Sequence, residues 1–364
     1  MQDPRIHELA KLFIDYSVKI KSKERVLIIA YGLAGYDLMK ECYKLCLEKG
    51  ALPRYEIRTD EMSRVFYDHA SEDHQLDDCP EYAFGEANAT DAMIQIIADS
   101  NKMEMAKIDQ DKALRKRKAT KKLSDIYHEK KWVLFEYPTL AGAQDAGMSL
   151  EDWENFVFEA SLQDWEAAGR EQEVLKQLIE DTDEVHIVAD GTDLKANIKG
   201  QKAVKCCGTH NMPDGEVFTS PIRDGVNGHI TFNTPTVYMG KEFNTIKIEF
   251  KDGKAVKAES DINTEDLNKI LDTDEGSRFL GEFAFGTNKN IQKPVKSILF
   301  DEKIGGSTHM AFGKCYDEAS NGNDSAIHWD MIIRHKDANG KVYFDGVLIQ
   351  ENGIWVHEDL QGFN

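Results

Sequence analysis

The chain is short of several features, and each shortage narrows what it can be. None of its six cysteines (Cys42, Cys46, Cys79, Cys206, Cys207, Cys315) stands in a C-x-x-C spacing. Neither a zinc knuckle nor a redox dithiol is therefore indicated, and reduced, mostly buried thiols are expected. No apolar run approaches the roughly 18 residues of a membrane-spanning helix. The opening Met-Gln-Asp-Pro-Arg-Ile-His-Glu lacks the apolar stretch of a signal peptide, so a cytoplasmic protein with no membrane partner is expected. Lys plus Arg number 45 against 65 Asp plus Glu, a net charge of −20, which argues against a nucleic-acid partner or an anionic membrane surface. The basic cluster Leu114 to Lys122 is expected to be a solvated helix face. Gly32 and Gly35 follow the first strand-like run without the G-x-G-x-x-G order, so a nucleotide-binding loop is not expected. Proline- or serine-rich linkers and low-complexity segments are also missing.

What is present is size and alternation. At 364 residues with 41% hydrophobic content, the chain exceeds what a single core usually supports, and two domains are the default. Ile6, Leu9, Leu12, Phe13 and Tyr16 recur at helical spacing and lead into the β-rich run Val26 to Ala30. The pattern repeats, with helical stretches at Tyr36 to Lys49, Glu104 to Lys130 and Ser149 to Ile179. Strand-like runs lie at Leu52 to Arg58, Ala92 to Ala98, Trp132 to Tyr137 and Val185 to Ala189. Strands alternating with helices predict a doubly wound parallel sheet, and Ser149 with Asp152 three residues on predicts a helix N-terminus. Beyond about residue 190 the turn dipeptides Asp224-Gly225, Asp252-Gly253, Asn339-Gly340, Asp345-Gly346 and Asn352-Gly353 predict hairpins, hence a largely antiparallel half with one helix near Glu265 to Leu271. The expected organisation is an α/β domain over 1–186 and a β-rich domain over 187–364.

Four stretches of the second half offer a shared chemistry. In Asn211-Met-Pro-Asp-Gly-Glu-Val-Phe-Thr-Ser-Pro221, a fixed proline φ and a turn dipeptide place Glu216 where a tight turn enters a strand. Glu282 lies among Phe279, Leu280 and Phe283, where a buried carboxylate would require a partner cation and a solvent-facing one would not. His309 follows Gly305-Gly306-Ser307. In His328-Trp329-Asp330 the two polar residues would share one strand face about 6.5 to 7 Å apart with Trp329 opposite, a pattern that suits a metal or a solvated surface strand. Two Glu, two His and one Asp make the hard-oxygen-plus-imidazole set that binds a pair of divalent ions. Tyr316 would either bring a phenol to a reacting carbonyl or pack in the core. His210 is either a loop residue or a support for the Asn211 stretch. Ser307 has no partnered His and Asp, so serine hydrolase chemistry is disfavoured.

These four stretches, with Ala98-Asp99-Ser100-Asn101, Tyr137-Pro138-Thr139, Ala146-Gly147-Met148-Ser149 and Gly191-Thr192-Asp193-Leu194, resemble in order and spacing the thermophilic metallo-aminopeptidases of the aminopeptidase T and S type. The resemblance covers nearly the whole chain. It implies a homodimeric two-metal exopeptidase acting on peptides with a free N-terminus. Glu216, Glu282, His309, His328 and Asp330 would be the metal ligands, and Glu282 and Tyr316 the catalytic groups. Zn, Co and Mn all suit such ligands. On this account Asp330 is the bridging candidate, Glu282 moves a proton, and Tyr316 donates to the oxyanion. The alternative from another class is a mononuclear Fe(II) ring-cleaving dioxygenase on the same fold, using His309, His328 and Asp330 alone. The paired glutamates Glu216 and Glu282 argue against it.

Overall fold

The computed structural model describes residues 3–364. They form two compact units, one of residues 3–162 with Gly208–Pro213, the other of Gln163–Cys207 with Asp214–Asn364. The expected boundary lay at 186/187. In the structure the second unit starts earlier, and the chain re-enters the first unit for six residues just before Asp214.

The first unit is built on a parallel sheet with strands β1 (Arg25–Tyr31), β2 (Leu52–Arg58), β3 (Ala92–Ile97) and β4 (Lys131–Glu136), in the order β2-β1-β3-β4. The short strand Asn211–Met212 completes it beside β4. β1 is buried from Val26 to Ala30, as the apolar run of a central parallel strand should be. Helices between the strands start on side-chain caps: Thr59, Asp109, Thr139 and Ser149 each accept from a backbone N–H of the first turn. The predicted Ser149 cap accepts from the Asp152 N–H at 3.1 Å. The single helix expected from Ser149 to Ile179 is two, Leu150–Ser161 and Trp165–Glu180. Leu162 leaves the helical region at ψ 74°, and Asp164 caps the second helix.

The second unit holds an eight-stranded sheet and a five-stranded one. The run predicted as a further parallel strand, Val185 to Ala189, forms the strand Glu184–Ala189 of the eight-stranded sheet. Residues Asp190-Gly191 turn it back onto Thr192–Asn197, and it pairs antiparallel with that strand and with Lys341–Phe344. Three of the five turn dipeptides close two-residue hairpins with both φ angles positive: Asp252-Gly253, Asp345-Gly346 and Asn352-Gly353. That is the type I′ conformation, whose twist matches the flanking strands. The predicted helix is Thr264–Leu271.

The five-stranded sheet carries the candidate site. Its strands are β5 (Val204–Cys206), β6 (Glu216–Thr219), β7 (Leu280–Gly286), β8 (Ser307–Gly313) and β9 (His328–Arg334), in the order β9-β8-β7-β6-β5, all antiparallel. Every residue of β6, β7 and β8 is buried. One face sends Val217, Phe283, Phe285, Met310, Phe312, Trp329 and Met331 into the main hydrophobic core. The alternate residues face the other way.

Candidate metal centre

On that other face, register decides which residues meet. Glu282 lies opposite Ala311, and Ala311 opposite Asp330, so two carboxylates flank one small side chain. His309 is opposite Ala284, and Glu216 opposite Gly286. The sequence Glu-Phe-Ala-Phe-Gly thus puts large rings in the core and Ala284 and Gly286 beneath the polar groups, leaving room for them to converge. A bulge between Leu280 and Glu282 shifts the register by one residue and sets Glu282 on this face. Its carbonyls are tied down: the Ser220 hydroxyl donates to Gly281 O, and Asn321 Nδ2 donates to Leu280 O at 2.8 Å.

The turn before Glu216 needs its glycine. Gly215 has φ +124°, and a Cβ there would collide with Asn288. Asn288 Nδ2 donates to Asp214 O at 2.8 Å, and the Thr287 N–H to Gly215 O at 2.8 Å, joining the first and second motifs.

The structure brings all five sequence-derived candidates together as an alternating chain of carboxylates and imidazoles. Glu216 Oε2 lies 3.2 Å from His309 Nε2, which is 3.2 Å from Glu282 Oε1. Glu282 Oε2 lies 3.5 Å from His328 Nε2, which is 3.6 Å from Asp330 Oδ1. The His328 ring nitrogen Nδ1 is 2.8 Å from Lys314 O. A carbonyl only accepts, so Nδ1 carries a proton, and Nε2 is the ring atom turned to the carboxylates, where it could ligate a cation. Tyr316 is near but half-exposed, its ring 5.0 Å from that of His328 and 5.6 Å from that of Phe218.

Four further residues belong here to which sequence reasoning gave no part in the site. Glu302, Glu216 and His309 hold ligand atoms within 4.8 Å of one another, as do Glu282, His328 and Asp330, and Cys206, Asp214 and Glu216. Lys303 is wholly buried among the acids, 2.6 Å from Glu216 and 2.7 Å from Glu302. Asp214, singled out only as a turn residue, and Cys206, left without a role, are both in reach of Glu216. The Asp-Glu-Lys string at 301–303 resembles an ordinary surface run; its one signal was its place directly before Ile304-Gly305-Gly306.

Charge in this buried space is strongly perturbed. Burial alone would raise the Glu216 carboxyl, but Lys303 and His309 outweigh it and hold the group below the usual carboxylate range. Burial and the neighbouring carboxylates raise Glu282 despite its bond to His309, and burial pushes Glu302 up to about 8. Burial would lower His309, yet the adjacent carboxylates of Glu216 and Glu282 hold it well above the ordinary histidine value. A proton wedged between two carboxylates occupies the place a cation would take, so protons and a divalent ion compete here. Glu216 Oε2, His309 Nδ1 and Asp330 Oδ1 are buried without a hydrogen-bond partner among the described residues. Buried polar atoms left unsatisfied in this way are costly unless something else is bound. The donor set therefore fits divalent cations, with Glu216 Oε2 and Asp330 Oδ1 among their ligands.

A parallel α/β unit joined to an antiparallel one whose sheet face gathers carboxylates and imidazoles defines a candidate metalloenzyme. The thermophilic metalloprotease (M29) family matches residues 2–355, and the chain belongs to that family. Among curated relatives, aminopeptidase 2 of Geobacillus stearothermophilus is 35% identical over 176 residues, 41% of this chain and 40% of the relative. Aminopeptidase T of Thermus thermophilus is 29% identical over 266 residues, 62% of this chain and 64% of the relative. The chain thus spans 40% and 64% of the length of these two curated relatives. The solved structure of AmpT from Thermus thermophilus shares the fold at TM-score 0.83 and 23% identity, covering 97% of this chain and 99% of that one. So does 2,5-dihydroxypyridine dioxygenase from Pseudomonas putida, at TM-score 0.65 and 12% identity over 99% of both chains. One fold under two chemistries leaves the choice between them to the site.

Proposed function

We propose that the protein is a metal-dependent aminopeptidase holding two divalent ions, of Zn, Co or Mn type, through Glu216, Glu282, His309, His328 and Asp330. The observation that carries the proposal is the unbroken carboxylate–imidazole chain in which two carboxylates beyond a two-His-one-carboxylate set take part. A mononuclear iron site would leave Glu216 and Glu282 without a role. Glu282 would be better placed than Asp330 to serve both ions, since its Oε1 faces His309 and its Oε2 faces His328.

Bound ions would supply an activated water at neutral pH and polarise the scissile carbonyl. The chain's own residues do the rest. With both Glu282 oxygens turned to imidazoles, Glu302, once ionised by a neighbouring cation, is the better placed carboxyl to take the proton of the attacking water and pass it to the leaving amine, the role first expected of Glu282. The Tyr316 hydroxyl, pushed up by partial burial and by Glu282 and Asp330, keeps its proton and can donate to the oxyanion. The acidic surroundings favour a free α-amine and offer nothing to an acetylated one, which restricts cleavage to N-termini. Peptide substrates, a cytoplasmic location and a homodimer complete the proposal. Among the described residues no helix is long and apolar enough to cross a membrane.

The test is a pair of tripeptides identical except for N-terminal acetylation, assayed alongside metal content by plasma spectrometry. Release of the first residue from the free peptide alone, with two ions per chain, is expected. Comparable cleavage of the blocked peptide would refute the exopeptidase assignment, and a single iron per chain would favour the dioxygenase.

A further inference from the structure

Lys303 is 0% exposed and sits just after the short helix Ile298–Asp301. Its backbone is fixed from both sides: the Lys303 N–H donates to Phe300 O at 3.0 Å, and the Asn288 N–H donates to Lys303 O at 3.1 Å. Its ammonium is therefore delivered to one place, 2.6 Å from Glu216 Oε1, 2.7 Å from Glu302 Oε1 and 3.8 Å from Asp214 Oδ1. At these distances the contacts to Glu216 and Glu302 are close ion pairs. Taking an ammonium out of water costs several kcal/mol unless its partners offset it, and a lysine kept in such a place is explained by what it does to those partners.

What it does is divide the two oxygens of Glu216. Oε1 faces Lys303, whereas Oε2 is buried, has no hydrogen-bond partner and lies 3.2 Å from His309 Nε2. The last torsion of a glutamate is broad and two-fold, so nothing intrinsic to the side chain selects one oxygen. We infer that Lys303 is a positioning residue that fixes Glu216 as a one-oxygen metal ligand through Oε2 and offsets part of the negative charge packed around it. The inference rests on the two-metal proposal above and deepens it. Without the ammonium, Glu216 would turn and offer both oxygens, changing the coordination of the ion it shares with His309.

The test uses the full chain stripped of metal and titrated with Co(II), followed by equilibrium dialysis and visible absorption. Wild type should bind two ions. Lys303→Met should bind one as wild type does and the other 10- to 100-fold more weakly, the usual effect of removing a ligand's support, with an altered visible band. Because that variant leaves Glu216 buried without its cation and could fail to fold, Glu216→Gln and Glu216→Gln/Lys303→Met are compared as well. If Lys303 acts through Glu216, adding Lys303→Met to Glu216→Gln changes neither affinity nor spectrum. A further large loss in the double variant would overturn the inference, as would a Lys303→Met protein with wild-type affinity and band. Wild type that binds no divalent ion would overturn the two-metal proposal along with it.

Discussion

Tyr316 stands beside the candidate ligands without joining their chain of contacts, and this separates chemistry from metal binding. If its hydroxyl serves the oxyanion, Tyr316→Phe keeps both ions and lowers kcat by roughly 10²- to 10³-fold, the usual cost of one oxyanion donor. Metal content and steady-state rates together check this, and an unchanged kcat would leave Tyr316 a packing residue against Phe218 and His328. His335 belongs to stability. It is fully buried, its Nε2 is 2.8 Å from Thr308 Oγ1, and burial lowers its pKa from 6.5 to about 4. A histidine depressed in the folded state stays neutral where the unfolded chain is protonated. Its contribution is whole above the unfolded value, fades as pH falls from there, and is lost by about pH 4, a change of about 3 kcal/mol. His335→Gln should therefore lose roughly 2 to 3 kcal/mol less than wild type when urea unfolding is compared between about pH 7 and about pH 4.5. Equal losses would contradict it. At this scale Glu216, Glu282, His309, His328 and Asp330 were legible because each sits in a motif with turn or strand grammar. Glu302 and Lys303 were not, because an acid–base pair shows its burial only once Glu216 and Asp214 have been folded against it.

Among the elements, β7 does most to shape the site. Its Glu-Phe-Ala-Phe-Gly alternation could be parsed from the sequence, as could His328-Trp329-Asp330 on β9, since period-two patterns carry their own face assignment. The bulge at Gly281 could not, yet it determines that Glu282 falls in line with Ala311 and Asp330. A Cβ on Gly281 would run into the Gly313 carbonyl and the Lys314 backbone. Gly281→Ala should then cost about 1 to 3 kcal/mol of stability as an overpacked site and also weaken Co(II) binding, because β7 can relieve the clash only by moving Glu282 away from β8. Denaturant melts and a metal titration check both, and a destabilised protein with intact metal affinity would show that the bulge does not aim Glu282. Local signals likewise found Ser149 as a cap and three type I′ hairpins. They merged two helices across Leu162 and assigned Glu184–Ala189 to the wrong sheet, because a buried apolar strand looks the same whichever partners it takes.

For the whole molecule, two units were legible from chain length and from the change of texture near residue 190, but not the return of Gly208–Pro213 to the first unit, which only pairing with β4 reveals. The second unit keeps Asp214, Glu216, Glu282 and Asp330 below 9% exposure with Lys303 as their buried ammonium, inside a protein that already carries a net charge of −20. Such an excess of like charge out of water opposes folding unless cations or protons offset it. Divalent ions that bind only the folded chain should therefore be a large part of its stability, about 4 kcal/mol per ion when free metal is a thousandfold above Kd. Chelation at neutral pH is expected to lower the melting temperature by many degrees, and adding back Zn, Co or Mn to restore it in a concentration-dependent way. Hydrogen exchange should place the loss on β6 to β9 and spare β1 to β4, since every candidate ligand lies on the former. Raising the pH of the chelated protein above the ordinary histidine range should weaken it further, because the proton that His309 holds between Glu216 and Glu282 in the cation's place is then lost. A melting temperature indifferent to chelator, with unchanged exchange on β6 to β9, would mean that the acidic face is stable without metal and that its orphaned oxygens serve some other ligand.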